Sequence, residues 1–258
     1  MKVARHIVEA RRQSIASLVR EHGYLPILTI SRQFRISPAT ARRDLDELVS
    51  QKVLTRTHGG ALSDYNREFA SAGQRRRVDA VAKRAIGVAG SEMIQPGMTV
   101  YIDAGTTPLA VASALAARRI PGVCVVTANL AVAQLLGDIP EITVHMTAGH
   151  YLGRQEMLAG PEVARSLRAW QFDLAFVGCE GLDAAGLHNS QADVVAVTHA
   201  LRDVGKRLVV CTTRSKVGVR APVLVSETLN GFTLITDATR AELSKARVPL
   251  GSATHIKV

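Results

Sequence analysis

The 258-residue sequence has few cysteines, few aromatic residues and no long apolar run. Its three cysteines, Cys124, Cys179 and Cys211, lie far apart, and no pair has the spacing of a metal or redox site, so we expect core thiols. No stretch of about 18 apolar residues is present to cross a membrane, and residues 1–12 lack the apolar segment of a secretory signal. These absences predict a globular, cytoplasmic protein without a metal site or a cofactor.

Acidic residues are also fewer than basic ones, and the shortage is uneven along the chain. There are 22 Asp and Glu residues against 32 Lys and Arg, which gives a formal net charge of +10. Residues 1–77 hold 15 basic and 7 acidic residues, whereas residues 78–258 hold 17 and 15. A small basic segment joined to a nearly neutral larger one is typical of a nucleic-acid binder. A membrane-surface segment is the alternative, but these basic residues do not line one long amphipathic helix.

One short segment predicts a helix suited to a DNA groove. Ser37 is a good N-cap, and Pro38 suits the first helical position because its missing N–H would be unpaired there anyway. Apolar residues recur with the helical period and should pack inward, which leaves Thr40, Arg42 and Arg43 on the outer face of the first two turns. A solvated face with local ion pairs is the alternative interpretation of this basic run.

The neighbouring segments complete a winged helix-turn-helix pattern. Residues 27–34 are long enough for a two-turn helix, and residues 35–37 leave only a tight turn before the next one. Residues 53–61 predict a strand followed by a glycine turn, which would place Arg56 and His58 on a β-wing against the DNA backbone. His58 could instead cap its turn.

Two longer helices are predicted on either side of this module. The first spans about residues 4–21, with Ile7, Ile15 and Val19 facing the core. The second spans residues 75–94, opens on three arginines and would act as a connector. We interpret those arginines as solvated, with a phosphate contact or a dimer contact as the alternatives.

From residue 98 onward, short β-rich runs alternate with helical stretches, which predicts an α/β domain with a mostly parallel sheet. Ligands bind at the carboxyl ends of such strands. The segment from Asp103 through Gly105 and Thr106 to Thr107 follows a predicted strand and precedes a helix, so backbone N–H groups, two hydroxyls and the helix N-terminus would converge. The segment therefore predicts an anion cradle, with a plain capped turn as the alternative. The predicted strands are residues 99–102, 123–127, 142–147, 174–177, 208–211 and 234–236.

Several of these motifs are similar to those of one protein family. The run Ser37-Pro38-Ala39-Thr40-Ala41-Arg42-Arg43-Asp44-Leu45, followed by Thr57-His58-Gly59-Gly60-Ala61, resembles the N-terminal signature of DeoR-family transcriptional regulators. Residues 103–107, 127–129, 173–178, 215–218 and 235–237 resemble the family's sensor domain. The resemblance thus extends over essentially the whole chain.

The resemblance implies a domain organisation. Residues 1–61 would form a winged helix-turn-helix DNA-binding domain, residues 62–97 a linker and connector helix, and residues 98–258 an effector-sensing α/β domain. The fold of that last domain would be related to the fold of sugar-phosphate isomerases.

The resemblance also implies an effector site. Gly105, Thr106 and Thr107, in the motif that begins at Asp103, would contact the phosphate of the effector. The residues around the sugar would be Asn129, Gly178 and Lys216.

The sequence departs from the family at five positions. Arg35 stands where a turn glycine is usual, and Ala41 where a larger aliphatic residue is usual. Aligned by spacing alone, Gln191 and Val195 replace an acidic residue and a lysine, and Thr213 replaces an aspartate before Ser215-Lys216. The last three changes predict a phosphorylated effector with an unusual non-phosphate end.

We therefore expect a DNA-binding transcriptional regulator, interpreted as a repressor, that responds to a phosphorylated sugar or related metabolite. A homo-oligomer, dimer or tetramer, would match a palindromic operator. One alternative is an isomerase-like enzyme with an added DNA-binding module, which Val195 and Thr213 argue against because they remove its acid and base. Another is a structural DNA binder whose larger domain only oligomerises.

Overall fold

The computed structural model describes residues 5–22, 24–51, 53–56, 60–63, 70–190 and 192–258. The chain divides into two compact units, the first formed mainly by residues up to Ala70 and the second by most of the chain from Ser71 onward. Within the described ranges, no helix is both long enough and apolar enough to span a membrane.

Three helices form the core of the first unit. They are α1 (Arg5–His22), α2 (Ile27–Gln33) and α3 (Pro38–Ser50). Ile15, Ile30 and Leu45, one from each helix, are fully buried together. Ile7, which the sequence predicts in this core, is instead half exposed, because it lies beyond the part of α1 that the other helices cover.

A tight turn separates α2 from α3 as predicted. Arg35 has a φ of 51°, a left-handed conformation that explains why a glycine is usual at this position. Ser37 caps α3 because its hydroxyl accepts the N–H of Thr40 at 3.1 Å, and Pro38 occupies the first turn. The predicted N-terminus of this helix is therefore confirmed.

The wing of the first unit is a three-stranded antiparallel sheet. Its strands are β1 (Tyr24–Pro26), β2 (Leu54–Arg56) and β3 (Gly60–Ser63), and β3 lies between the other two. The predicted wing strand is β2, whereas β1 and β3 were not predicted. Residues 57–59, which include His58, lie outside the described residues.

The second unit begins with two helices where one was predicted. They are α4 (Ala72–Arg77) and α5 (Ala80–Glu92). Asp79 breaks the connector between them, since its φ of 52° is left-handed and cannot continue a right-handed helix. The single helix expected over residues 75–94 is therefore wrong.

A seven-stranded parallel sheet forms the centre of the second unit. Its strands are β4 (Thr99–Ile102), β5 (Val123–Thr127), β6 (Ile142–Met146), β9 (Leu174–Gly178), β12 (Leu208–Cys211), β14 (Thr233–Thr236) and β15 (Thr254–Lys257). Their order across the sheet is β15-β14-β12-β9-β4-β5-β6. Alternate residues of β4 and β9 face two separate hydrophobic layers, with Tyr101 and Val177 in one and Ile102 and Phe176 in the other. Both faces of the sheet are thus covered, as parallel sheets require.

Five helices connect these strands, in agreement with the predicted alternation of β-rich runs and helical stretches. They are α6 (Thr106–Arg118), α7 (Leu130–Leu136), α8 (Pro161–Leu167), α9 (Ala192–Val204) and α10 (Arg240–Lys245). A 3-10 turn at Arg214–Lys216 follows β12.

Two small antiparallel sheets were not predicted. One is the hairpin of β7 (His150–Leu152) and β8 (Met157–Ala159), and the other joins β10 (Gly181–Asp183), β11 (Gly186–Asn189) and β13 (Val223–Ser226). β7, β10 and β11 mix glycine or polar residues with their apolar ones, so they lack the continuous apolar run that marks the equally short strands of the parallel sheet.

Candidate DNA interface and effector site

The outer face of α3 carries the predicted DNA-contacting residues. Arg42 and Arg43 are exposed, and Thr40 is half-buried with its hydroxyl 2.9 Å from that of Ser37. Ala41, which precedes the arginines, is fully buried in the core of the first unit. The helix therefore presents both guanidinium groups within its first two turns, the position from which a recognition helix contacts a groove.

Asp44 fixes this helix from the opposite face and was not identified from the sequence. Its side chain is buried, and its two oxygens accept hydrogen bonds from Nε of Arg11 at 2.7 Å and Nε of Arg12 at 3.0 Å. The local sequence favours a solvated run of basic and acidic residues, because the partners of Asp44 lie more than 30 positions away. The signal that could have identified them is the pair of adjacent arginines on α1.

Of the two predicted wing residues, only Arg56 is among the described residues. Arg56 ends β2, opposite Ala61 of β3, and His58 lies outside the described residues. The expectation that both contact the DNA backbone stays a prediction.

The predicted effector residues meet at one edge of the parallel sheet. The neighbouring strands β5, β4, β9 and β12 end there in sequence, and each is followed by, or ends on, a predicted residue. In that order the contributions are Asn129, then Asp103 to Thr107, then Gly178, then Lys216. The structure therefore brings together groups that are separated by more than 100 positions in the chain.

Asp103 joins two of these strands. Its Oδ2 accepts the backbone N–H of Gly178 at 3.1 Å, which ties the end of β4 to the end of β9. Burial raises the pKa of this carboxyl group, while hydrogen bonds from Gly178 and Ala104 oppose the rise. We conclude that the buried Asp103 holds the ends of β4 and β9 together at the site.

Gly105 has close neighbours at the point where the cradle forms. A Cβ added to Gly105 would lie 3.1 Å from Cδ of Pro108 and 3.8 Å from the Cα of Gly178. Thr106 is partly exposed at the N-terminus of α6, whereas Thr107 is buried. The two threonines therefore differ, and Thr106 is the more accessible of the two to a ligand.

Asn129 and Lys216 border the cradle on its two sides. Asn129 is buried, and its side-chain oxygen accepts the N–H of Ala131 at 2.9 Å, so its NH2 group is the part left to donate to a ligand. Nζ of Lys216 donates to the carbonyl of Cys179 at 2.6 Å, next to Gly178. One of the three Lys216 protons is thus engaged, and the ammonium group is held at the edge of the sheet.

Three charged residues of the connector, Arg75, Asp79 and Lys83, also lie at this site and were not assigned to it from the sequence. Lys83 is buried and donates to the carbonyls of Arg75 at 2.5 Å and Val78 at 2.7 Å, where it satisfies the C-terminus of α4. Burial lowers the pKa of Lys83 to about 8, the positive charge of Lys216 adds to this, and Asp79 opposes it. The sequence offered no local signal, because these contacts depend on the break at Asp79.

The sequence predicts a solvated Arg75, and the structure shows otherwise. Its guanidinium group donates to Oε1 of Gln155 at 2.6 Å, and its positive charge acts to lower the pKa of Asp103. Arg76 forms a two-bond ion pair with Glu156, at 2.6 and 2.9 Å. Nε2 of Gln155 is buried and has no hydrogen-bond partner among the described residues, so it is a donor still available next to Arg75.

The three positions predicted to lack a charge in the pocket have different surroundings. Val195 is buried in the hydrophobic layer that also contains Ala128 and Cys179, and its assignment to the pocket by spacing stays a prediction. Gln191 lies outside the described residues. Thr213 is fully buried at the site, and its hydroxyl donates to Oδ2 of Asp79 at 2.9 Å.

No group of three or more metal-ligating side chains occurs within the described parts of the chain. Cys179 and Cys211 are buried and Cys124 is partly buried, and burial raises the pKa of each thiol. Cys179 and Cys211 therefore pack as core residues, one in each hydrophobic layer of the second unit.

Comparison with known proteins gives two family matches that together span most of the chain. The DeoR-like helix-turn-helix domain matches residues 11–67, and the DeoR C terminal sensor domain matches residues 78–238.

Named relatives are similar along most of their length. The chain is 32% identical to the transcriptional repressor AccR of Agrobacterium fabrum, over 80% of either chain. It is 29% identical to the glycerol-3-phosphate regulon repressor of Escherichia coli K12, over 88% of this chain and 90% of that one. Among solved structures, ribose 5-phosphate isomerase from Plasmodium falciparum matches 54% of this chain and 53% of its own, at 14% identity and a TM-score of 0.38.

Proposed function

Because the chain belongs to the DeoR family of transcriptional regulators, we propose that it binds operator DNA through its first unit and senses a phosphorylated metabolite through its second. Its relatives are regulators and not enzymes, so the isomerase alternative is set aside. We further propose that it represses transcription, as the names of those relatives state for them, and that the ligand weakens operator binding.

One observation supports the effector assignment above the others. Four adjacent strands deliver Asn129, the Asp103 to Thr107 turn, Gly178 and Lys216 to one edge of the sheet. Backbone N–H groups at the N-terminus of α6, a threonine hydroxyl and an ammonium group are the partners that a phosphate dianion takes. Lys83 and Arg75 add positive charge at the same edge.

The DNA-binding assignment is supported by α3. The helix is capped by Ser37 and pinned by Asp44, and it leaves Arg42 and Arg43 exposed. We propose that these two arginines contact base edges or phosphates, with Thr40 beside them and Arg56 and His58 on the DNA backbone. We place the DNA-binding domain at residues 1–61, the connector at residues 62–97 and the sensor at residues 98–258.

The proposed partners are operator DNA, a small phosphorylated ligand and further copies of this chain. A protein that reads chromosomal DNA would work in the cytoplasm. One short helix contacts only a few base pairs, so we propose a dimer or tetramer that matches a two-fold operator.

The test uses the full-length protein and a DNA fragment that it selects from a random-sequence library. Phosphate esters are screened by thermal shift, and each hit is titrated into the protein–DNA complex in a fluorescence anisotropy assay. We expect at least one ester to stabilise the protein and to release the DNA.

The matched variant replaces Thr106 and Thr107 with alanine. It should retain operator affinity and lose its response to every phosphate ester. If the variant still responds, or if only ligands without phosphate release the DNA, the cradle is a capped turn and the effector assignment is wrong.

A further inference from the structure

Asp79 has an unusual conformation at the junction of α4 and α5. It adopts left-handed backbone angles, φ 52° and ψ 34°, although it is not glycine. It also occupies the N-cap position of α5 without capping it by a side-chain hydrogen bond. An aspartate at this position ordinarily accepts an N–H from the first turn of its helix. The side chain is therefore committed to something else.

The carboxylate of Asp79 is held by two hydroxyls from the loop after β12. Its Oδ2 accepts from Ser215 at 2.5 Å and from Thr213 at 2.9 Å, and the two hydroxyls lie 3.0 Å apart. The hydrogen bond from Ser215 is the largest influence on the pKa of Asp79, which is lowered, so this carboxyl group is ionised at neutral pH. A fixed negative charge thus lies on the loop that also carries Lys216.

This negative charge lies within a cluster of positive ones. Lys83 and Lys216 both lower the pKa of Asp79, and Lys83 in turn is influenced by Lys216, Asp79 and Arg75. Lys83 and Lys216 are therefore close enough to act on Asp79, and its carboxylate partly compensates for their positive charges.

The cluster is continuous with the phosphate cradle. Lys216 donates to the carbonyl of Cys179. The preceding residue, Gly178, has its Cα 3.8 Å from the position that a Cβ on Gly105 would occupy. Lys216 thus links the end of β9 to the loop whose Ser215 holds Asp79. The neutral Thr213 is buried and cannot supply a charge there.

We propose that Asp79 is a further effector-contacting residue, and that it makes the site selective for a phosphate monoester whose other end carries hydroxyl groups over one whose other end carries a second negative charge. This inference rests on the proposed function, because it requires the phosphate cradle.

The physical reason is the change in charge at the far end of the ligand. A hydroxyl can donate to the Asp79 carboxylate, whereas a carboxylate or second phosphate would be repelled by it at close range. Without Asp79, Lys83 and Lys216 would attract a second anion. The connector acid therefore determines which end groups the basic cluster accepts.

The experiment compares two small probes of the same carbon length by calorimetry on the full-length protein. They are glycerol 3-phosphate, with a terminal hydroxymethyl group, and 3-phosphoglycerate, with a carboxylate in its place. Inorganic phosphate reports on the cradle alone. We expect the wild type to bind the hydroxyl probe about 10- to 100-fold more tightly than the carboxylate probe, as expected for one like-charge contact in a partly buried site.

The diagnostic variant is Asp79→Asn. Asparagine tolerates left-handed backbone angles, and its amide oxygen can still accept from Ser215 and Thr213, so the change removes the charge and keeps the hydrogen bonds. We expect the preference to fall by about tenfold or more, mainly because the carboxylate probe binds better. Asp138→Asn, on an exposed turn, is the control for removal of one negative charge, and it should keep the wild-type preference.

The outcomes separate this inference from the proposed function. If both probes bind and Asp79→Asn weakens or strengthens them equally, Asp79 is only a structural tie, and the inference is overturned while the cradle stands. If neither probe nor inorganic phosphate binds to the wild type, the cradle itself is wrong and both proposals are overturned.

Discussion

Nε of Arg11 donates to Oδ2 of the buried Asp44 at 2.7 Å, and this hydrogen bond ties the helix that would enter DNA to the first helix of the chain. Arg12 reaches the other oxygen of the same carboxylate. The orientation of Arg42 and Arg43 therefore depends on a charge on the inner face of their own helix.

Replacing Asp44 with asparagine should destabilise the first unit by about 1.5–3 kcal/mol, because two guanidinium groups lose a charged acceptor in a partly buried setting. The measurement is urea unfolding followed by circular dichroism, with the exposed Glu9→Gln on α1 as the control. Equal stability of the two variants would show that the pair contributes nothing to the fold.

Replacing Arg42 and Arg43 together with alanine should weaken operator binding by about 1–3 kcal/mol for each arginine that forms a bidentate pair with a base. A phosphate contact would instead weaken all DNA sequences alike and reduce the salt dependence. Fluorescence anisotropy at several salt concentrations distinguishes these results. The control removes two exposed basic residues of the second unit, Arg240 and Lys245. Unchanged operator affinity in the α3 variant would refute the assignment.

Binding of a phosphate ester should weaken as the pH rises through about 8, because Lys83 then loses its proton. Its pKa is lowered from 10.5 to about 8 by burial and by Lys216 and Arg75, against the opposing effect of Asp79. Since the unfolded chain holds this proton up to a higher pH, the free energy of unfolding should rise between pH 8 and 10.5 from this group alone.

Calorimetry between pH 7 and 9.5 checks the first effect, and it should also detect proton uptake on binding near pH 8.5. Lys83→Arg keeps its charge over that range and should bind with a flatter profile. A wild-type affinity that is constant across the range would mean that the Lys83 ammonium does not interact with the ligand.

Replacing Val195 with lysine should destabilise the second unit by about 3 kcal/mol or more, because it places an unpaired charge in a hydrophobic layer. The same substitution at Val219, which is 42% exposed, is the control and should cost little. Urea unfolding measures both. A Val195→Lys variant that folds normally and binds phosphate esters more tightly would show that the side chain at position 195 faces the pocket.

The protein should sediment as a dimer or larger species at micromolar concentration. Val81 and Val88 are 72% and 51% exposed on one face of α5, and they lie two turns apart. Lysine at both positions should shift the equilibrium towards smaller species, whereas Val219→Lys should not. A wild-type monomer with full operator affinity would contradict the oligomer.

The parallel sheet could be predicted from the sequence because its strands are buried on both faces. The predicted ends of β4, β5 and β12 agree with the structure residue for residue, since continuous apolar runs stand out between polar turns. The small antiparallel sheets and the connector break were missed. Their conformations depend on distant partners, as when Asp79 leaves the helical region to accept from Ser215, 136 positions away.

The candidate site was predicted in the same uneven way. Motif order and strand ends were enough to place the Asp103 to Thr107 turn and Lys216 at one edge of the sheet, and their contact with an effector stays a prediction. Lys83 and Arg75 were not found, since a lysine or arginine in a polar helix resembles a solvated residue until its partners are known. The spacing of the sequence could not show that Val195 is buried among apolar residues, because that depends on which face of α9 packs on the sheet.

The order of strands in the parallel sheet sets the order in which the protein can be completed during synthesis. β4 lies against β9, and the hydrogen bond from Gly178 to Asp103 spans 75 positions of chain. The first unit is formed mainly by residues up to Ala70, whereas the cradle cannot close until Gly178, 75 positions after Asp103, has been added. A nascent chain therefore acquires the capacity to hold DNA before it acquires the capacity to sense a metabolite.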